Sequence, residues 1–130
     1  MAFELVVRDR SPGREGDALT LVDLPQRLTL RDLIRTRVRE EVARYNAERS
    51  GTFRGLVRPE DAEETPRGYR VAPGRLLEWE KQARVAEKAF EQNGFFVLVG
   101  GKQVDDLDAE LDLGVDTDLC FVRLVPLVGG

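Results

Sequence analysis

The sequence predicts an α+β domain in which a mixed sheet packs on a helix and an inserted segment carries a second helix. Three observations predict it. Two β-branched, apolar runs come before the first stretch of helical periodicity. A fully apolar run, a tight turn and a last strand follow the second such stretch. Between the two helices, residues 50–75 are broken repeatedly by glycine and proline. At 130 residues the chain is one domain of ordinary size.

Phe3 to Arg8 is an apolar, β-branched run ending at charge, and it reads as a strand. Asp9 to Asp17 holds Ser11, Pro12, Gly13 and Gly16 and reads as a loop. Ala18 to Asp23 alternates and reads as the second strand of a hairpin, stopped at Leu24-Pro25. Thr29 then precedes an apolar-periodic run, with Asp32 at capping-box spacing. Leu30, Leu33, Ile34, Val38, Val42 and Tyr45 form one core-facing stripe of a helix that ends near Glu48. Arg31, Arg35, Arg39, Glu40 and Arg44 are expected to form its solvated face.

Across 50–75, Thr52 to Val57 and Tyr69 to Val71 are candidates for a small extra hairpin, with Arg58 to Arg67 as a polar loop. Pro73 suits the first turn of a second helix over about 74–92. Its apolar residues are Leu76, Trp79, Ala83, Ala86 and Phe90, and Asn93-Gly94 stops it. Phe95 to Val99 is the next strand, Gly100-Gly101 its hairpin turn and Lys102 to Val104 the return. Asp105 to Val115 reads as an acidic, turn-rich connection anchored by Leu107, Leu111 and Leu113. The last strand is Leu119 to Val125.

Composition excludes several function classes. There is no histidine, which removes the commonest general acid–base group and metal ligand. Cys120 is the one cysteine, so there is neither an intramolecular disulfide nor a thiolate cluster. The expectation is a non-enzyme with no metal and no cofactor. The net charge is −4, and residues 101–130 hold seven acids against two bases, so no dominant basic patch points to nucleic acid. No run approaches the ~18 apolar residues of a membrane span. Met1-Ala2-Phe3-Glu4 has no basic-then-apolar signal, so a cytoplasmic protein is expected.

Most motif-like features have plain readings. The acidic run Asp105–Asp118 lacks the spacing of a calcium loop. Gly100-Gly101 opens no helix, so it is a turn and not a phosphate cradle. Cys120 sits between Leu119 and Phe121 and reads as an inert buried thiol. The final Gly129-Gly130 stands apart. It follows a strand, a proline and an apolar segment, and a tail without side chains can thread a narrow channel and present a bare carboxylate.

The element order, strand, strand, helix, strand, short strand, last strand and Gly-Gly, resembles the ubiquitin-like β-grasp family. Phe96 to Asp106 resembles ubiquitin's third strand, its Gly-Lys-Gln turn and the acidic residues after it. Val122 to Gly130, Val-Arg-Leu-Val-Pro-Leu-Val-Gly-Gly, is more similar to the tails of bacterial sulfur carriers such as the small subunit of molybdopterin synthase. The likeness covers about 2–48 and 95–130. It leaves 50–93 as an insertion and 126–130 as the tail.

The resemblance implies that the protein is cargo. An activating-type adenylating enzyme would act on the Gly130 carboxylate with ATP, with Gly129 beside it. Two fates then stand open. In the modifier fate a conjugating enzyme passes the acyl group to lysines of target proteins, and a deconjugating protease removes it. Enlarged modifiers of this kind occur in bacterial systems that resemble ubiquitination. In the carrier fate a thiocarboxylate donates sulfur for cofactor biosynthesis or tRNA thiolation. A third reading is a non-covalent binding module of the same fold. The Gly-Lys-Gln turn and the insertion favour the modifier, and the proline-containing tail favours the carrier. The expected partner-binding set is Phe121, Arg123 and Val125 on the open face of the last strand, with Leu127 and Val128 of the tail. Lys102, beside the glycine turn, is the expected acceptor for any self-linkage.

Overall fold

A computed structural model describes residues 2–11 and 14–124, with the side chains of all but 14–17. Val125, at the expected end of the last strand, and the expected tail with Leu127, Val128, Gly129 and Gly130 lie outside the described residues. The order of elements is β1 (Phe3–Ser11), β2 (Arg14–Leu24), β3 (Arg27–Thr29), α1 (Leu30–Glu48), β4 (Thr52–Phe53), β5 (Glu63–Thr65), β6 (Gly68–Arg70), α2 (Trp79–Glu91), β7 (Phe95–Val99), β8 (Lys102–Val104), β9 (Glu110–Asp112) and β10 (Leu119–Arg123).

The main sheet has the order β2-β1-β10-β7-β8. β1 and β10 run parallel, and the other neighbours are antiparallel, so the sheet is mixed, as expected. Leu5, Val7, Leu21, Val97 and Leu119 point from it into a core shared with α1, whose predicted stripe residues Leu30, Leu33, Ile34, Val38, Val42 and Tyr45 are all buried. Thr29 caps α1 as its spacing predicts, with Oγ1 accepting from the Asp32 N–H at 3.1 Å. Gly100 and Gly101 both hold positive φ, at 58° and 80°, which a two-residue hairpin of this type requires.

Several expectations need correction. Asp9 to Asp17 is not all loop, because β1 continues to Ser11 and β2 begins at Arg14. The alternation that buries Leu5 and Val7 carries on to Asp9, which is also buried. Residues 58–67 are not all loop either. Glu63–Thr65 joins the expected pairing, which is shorter than predicted, to give a three-stranded sheet β4-β6-β5. The acidic connection contains β9, which pairs with β3 through the buried Leu28 and Leu111.

The second helix starts at Trp79, not near 74. Asn46 of α1 brackets Leu77: its amide donates to the Leu77 carbonyl and its oxygen accepts the Leu77 N–H, each at 2.9 Å. That pair holds residue 77 outside a helix and buries Leu77, while Leu76 stays about half exposed. The expected solvated face of α1 is partly covered by α2. Glu87 is buried between Arg35 and Arg31, at 2.6 and 3.3 Å, and Arg39 lies over the Trp79 ring at 5.5 Å.

Candidate functional site

Strand alternation gives β10 two faces, and the assignment of those faces by residue type is reversed. Phe121 was expected outward beside Arg123. It is fully buried, stacked on Phe95 with ring centroids 6.0 Å apart. The register explains this. Asp9 of β1 lies opposite Phe121 of β10, both on the side that α1 crosses. Phe121 is therefore not available to a partner. The rule that arginine belongs outside fails at Arg123, because the inserted segment covers this end of the sheet and supplies a carbonyl for the guanidinium.

The face left without a helix carries Val122 and Leu124 instead. The register aligns Arg8, Cys120, Leu98 and Gln103 in one row across the sheet, and Arg10, Val122 and Phe96 in the next. Val6 and Leu124 are 53% and 42% exposed, and Phe96, Leu98 and Val122 are partly exposed. This is an apolar strip flanked by arginines. Arg8 is held by Asp118 at 2.5 Å across the sheet. Cys120 lies in the strip as a buried free thiol. Lys102 is exposed at the start of β8, as are Lys88 and Lys81, the last held by Glu78 at 2.9 Å.

Behind the strip, the covered face holds a polar network that periodicity did not announce. Arg37, only 2% exposed, grips Asp9 with both terminal nitrogens, at 2.5 and 2.6 Å. It also reaches Glu41 at 3.4 Å, and its guanidinium carbon lies 4.5 Å from the centre of the Phe121 ring. Glu41 Oε1 accepts the Leu56 N–H at 3.2 Å. The carbonyl of the same peptide group, Gly55 O, accepts from Arg123 Nη1 at 3.1 Å. The Arg123 guanidinium also faces the Tyr69 hydroxyl closely enough to pull its pKa down. One continuous set of bonds thus links β1, α1, the inserted segment and β10, ending at the last strand residue before the tail. Gln82 adds a further tie from α2, donating to the Val57 carbonyl at 3.2 Å.

Two carboxylates share one guanidinium in this interior, and the electrostatics follow. Burial pushes the Glu41 carboxyl above its ordinary value. Arg37 and the Leu56 N–H pull the other way, and Asp9 adds to the rise. Burial also raises the Tyr69 hydroxyl against the counter-pull of Arg123. The Nε atoms of Arg37 and Arg123 are buried without a hydrogen-bond partner, so each guanidinium is held by its terminal nitrogens alone. Arg37 and Glu41 sit at i, i+4 on the flank of the apolar stripe, between Ile34–Val38 and Val42–Tyr45. That interruption of the stripe by an opposite-charge pair was the available signal.

The acidic connection is a scaffold of turns. The Asp106 carboxylate accepts the Asp108 N–H at 2.8 Å, and Asp108 contacts Arg31 at 3.4 Å. It borders a shallow depression of about 560 Å³ whose lining includes Asn93, Phe96, Gln103 and Asp105. Among the described residues, no three acidic or thiol groups converge as metal ligands would. Nor, among the described residues, is any helix long and apolar enough to cross a membrane. No family model, curated protein or solved structure matches the chain.

Proposed function

We propose that the chain is a β-grasp protein modifier whose Gly130 carboxylate is adenylated by a partner enzyme and passed to lysines of target proteins. The observation that supports this reading most is the sheet order β2-β1-β10-β7-β8, with the first and last strands parallel at its centre and a helix packed on one face. In this arrangement the last strand is held on both edges, so the residues after it leave from a rigid support. The sequence beyond it, Leu-Val-Pro-Leu-Val-Gly-Gly, finishes on the unbranched glycines that an acyl-transfer channel admits.

On this reading the carboxylate attacks the α-phosphorus of ATP and displaces pyrophosphate, and the acyl-adenylate is then captured by a partner cysteine. The strip of Val6, Phe96, Leu98, Val122 and Leu124 beside Arg8 and Arg10 serves as the docking face, in place of Phe121. Exposed Lys102 is the acceptor for self-linkage. A sulfur-carrier role is the second reading, favoured by the proline-containing segment Val122–Gly130.

Mass spectrometry after incubation with an adenylating enzyme and ATP separates the two. A modifier appears as a conjugate, and trypsin leaves the Leu124–Gly130 remnant on the acceptor lysine. A carrier gains a terminal sulfur in place of an oxygen. Full activity of a chain lacking Gly129 and Gly130 would overturn both.

A further inference from the structure

The Gly55–Leu56 peptide group is bonded at both ends to charged side chains from two different elements. Its carbonyl accepts from Arg123 of β10 and its N–H donates to Glu41 of α1. Gly55 and Leu56 are both buried, so these bonds are made away from water, where a lost partner is costly. The close fit is specific to glycine: a Cβ on Gly55 would lie 2.1 Å from the Phe53 ring. Phe53 is itself pinned edge-on against Tyr45 of α1, with ring centroids 5.8 Å apart. The Gly55–Leu56 peptide is therefore one of the points at which the inserted segment is seated on the frame, and it links Glu41 to Arg123.

Arg123 occupies the last inward position of β10. One residue later the Leu124 N–H donates to the Gly94 carbonyl at 3.2 Å. Whatever fixes Arg123 fixes where the chain leaves the sheet. We propose that Arg123 is a positioning residue for the C-terminal chemistry, and that the doubly held Gly55–Leu56 peptide clasps the inserted segment onto β10 at the point where the chain leaves the sheet. This rests on the reading of Gly130 as the activated group. Holding a reacting group in a fixed geometry is a large part of acyl-transfer catalysis, and here the donor protein would supply that restraint from its own insertion. The clasp gives residues 50–78 a task inside the domain.

Two measurements on the full chain decide this. The first is amide hydrogen exchange by NMR, which needs no partner. Glu41→Ala removes the acceptor of the Leu56 N–H while leaving β10 untouched. Exchange should then quicken about tenfold at both Leu56 and Leu124, with the amides around Val7 as the control for global opening. Glu41→Gln keeps a carbonyl acceptor and should restore protection. Unchanged exchange at Leu124 in Glu41→Ala would overturn the clasp. If that variant does not fold, Arg123→Met, which removes the donor to the Gly55 carbonyl, carries the same test from the other side, and unchanged exchange at Leu56 would overturn the clasp.

The second measurement is ATP–pyrophosphate exchange with the source organism's adenylating enzyme, isolated on the immobilised full chain. Arg123→Met should lower kcat/KM about tenfold with most of the loss in kcat, and Arg123→Lys should recover most of it. Normal activation of Arg123→Met beside an active wild type would overturn the positioning role and leave the proposed function standing. A wild type that is never adenylated would overturn the proposed function and the positioning role with it, and amide exchange would still decide whether the clasp exists.

Discussion

The frame, residues 2–48 and 95–124, and the inserted segment between them are held by different chemistry. The frame is joined by apolar burial: two strand faces and one helix stripe meet with Leu21, Leu30, Leu33, Ile34, Val97 and Leu119 almost wholly out of water. The insertion has short strands and one helix, and little sheet of its own. It adds apolar contacts through Phe53, Leu56, Val71 and Leu77. Its seat, however, is set also by polar groups: Asn46 on Leu77, Arg31 and Arg35 on Glu87, and Glu41 and Arg123 on the Gly55–Leu56 peptide. Apolar burial is non-directional and fixes which faces meet. Hydrogen bonds to named backbone groups fix where an irregular segment rests. The irregular stretch before α2 has no long period with which to select its position, so directional bonds select it.

The largest effects should come inside the frame, at the buried network behind β10. Arg37→Met leaves Asp9 and Glu41 buried without their cation, and should cost about 3–5 kcal/mol in urea unfolding. Replacing Asp9, Arg37 and Glu41 together with apolar residues of similar volume should recover most of that. A mild effect of Arg37→Met alone would mean that the network is better solvated than its burial implies. Phe121→Ala should cost a comparable 3–5 kcal/mol. Val122→Ala, one residue along on the uncovered face, should cost about 1 kcal/mol or less. Equal losses at the two positions would undo the assignment of faces.

Gly55→Ala is expected to be intermediate, at about 1–3 kcal/mol, because the added methyl must displace the Phe53 ring. Its damage should be confined to amides of 50–78 and Leu124, and a uniform loss of protection would merge the two regions into one cooperative unit. The pH dependence sharpens the same contrast. Burial raises the Glu41 carboxyl above the value of 4.5 that it has when exposed. The unfolded chain therefore ionises first. The stability Glu41 contributes is full below about that unfolded value and is lost as pH rises through the higher folded one. Glu41→Gln cannot ionise, so its stability should fall less between pH 4.5 and 8 than that of the wild type, as followed by urea unfolding across that range. Identical slopes would assign the buried charge to another group. A similarly small effect, about 1 kcal/mol, belongs to the helix cap: Thr29→Ala removes the cap of α1 and should lower the melting temperature slightly without touching the insertion.

The frame was legible because its elements carry their own periods. Leu30 to Tyr45 at helical spacing, alternation in Ala18 to Asp23, the apolar run Phe95–Val99 and the Gly100-Gly101 turn each specify a local structure that packing then confirms. Leu107, Leu111 and Leu113 were visible as anchors and are buried. The candidate site was less legible. Lys102 is exposed as read, whereas Phe121 was assigned to the wrong face, and Asp9, Arg37, Glu41 and Gly55 were not singled out. A charged residue reads as solvated until its partner is known, and the partners here are far apart in the chain: Asp9 and Arg37 are 28 residues apart, and Gly55 and Arg123 are 68. The early start assigned to α2 failed for a like reason, since Asn46 fixes Leu77 from 31 residues away.

By itself, then, the sequence determined both helices, the strands of the main sheet and their order, the core stripe of α1, and the absence of histidine and intramolecular disulfide chemistry. Those depend on local periodicity and composition. Tertiary structure alone decided which face of β10 looks outward, why four charged side chains can lie buried or half-buried behind it, and where the inserted segment rests. Each of those turns on a hydrogen-bond partner or strand neighbour from a distant part of the chain, and side-chain alternation specifies two faces without saying which of them will be covered.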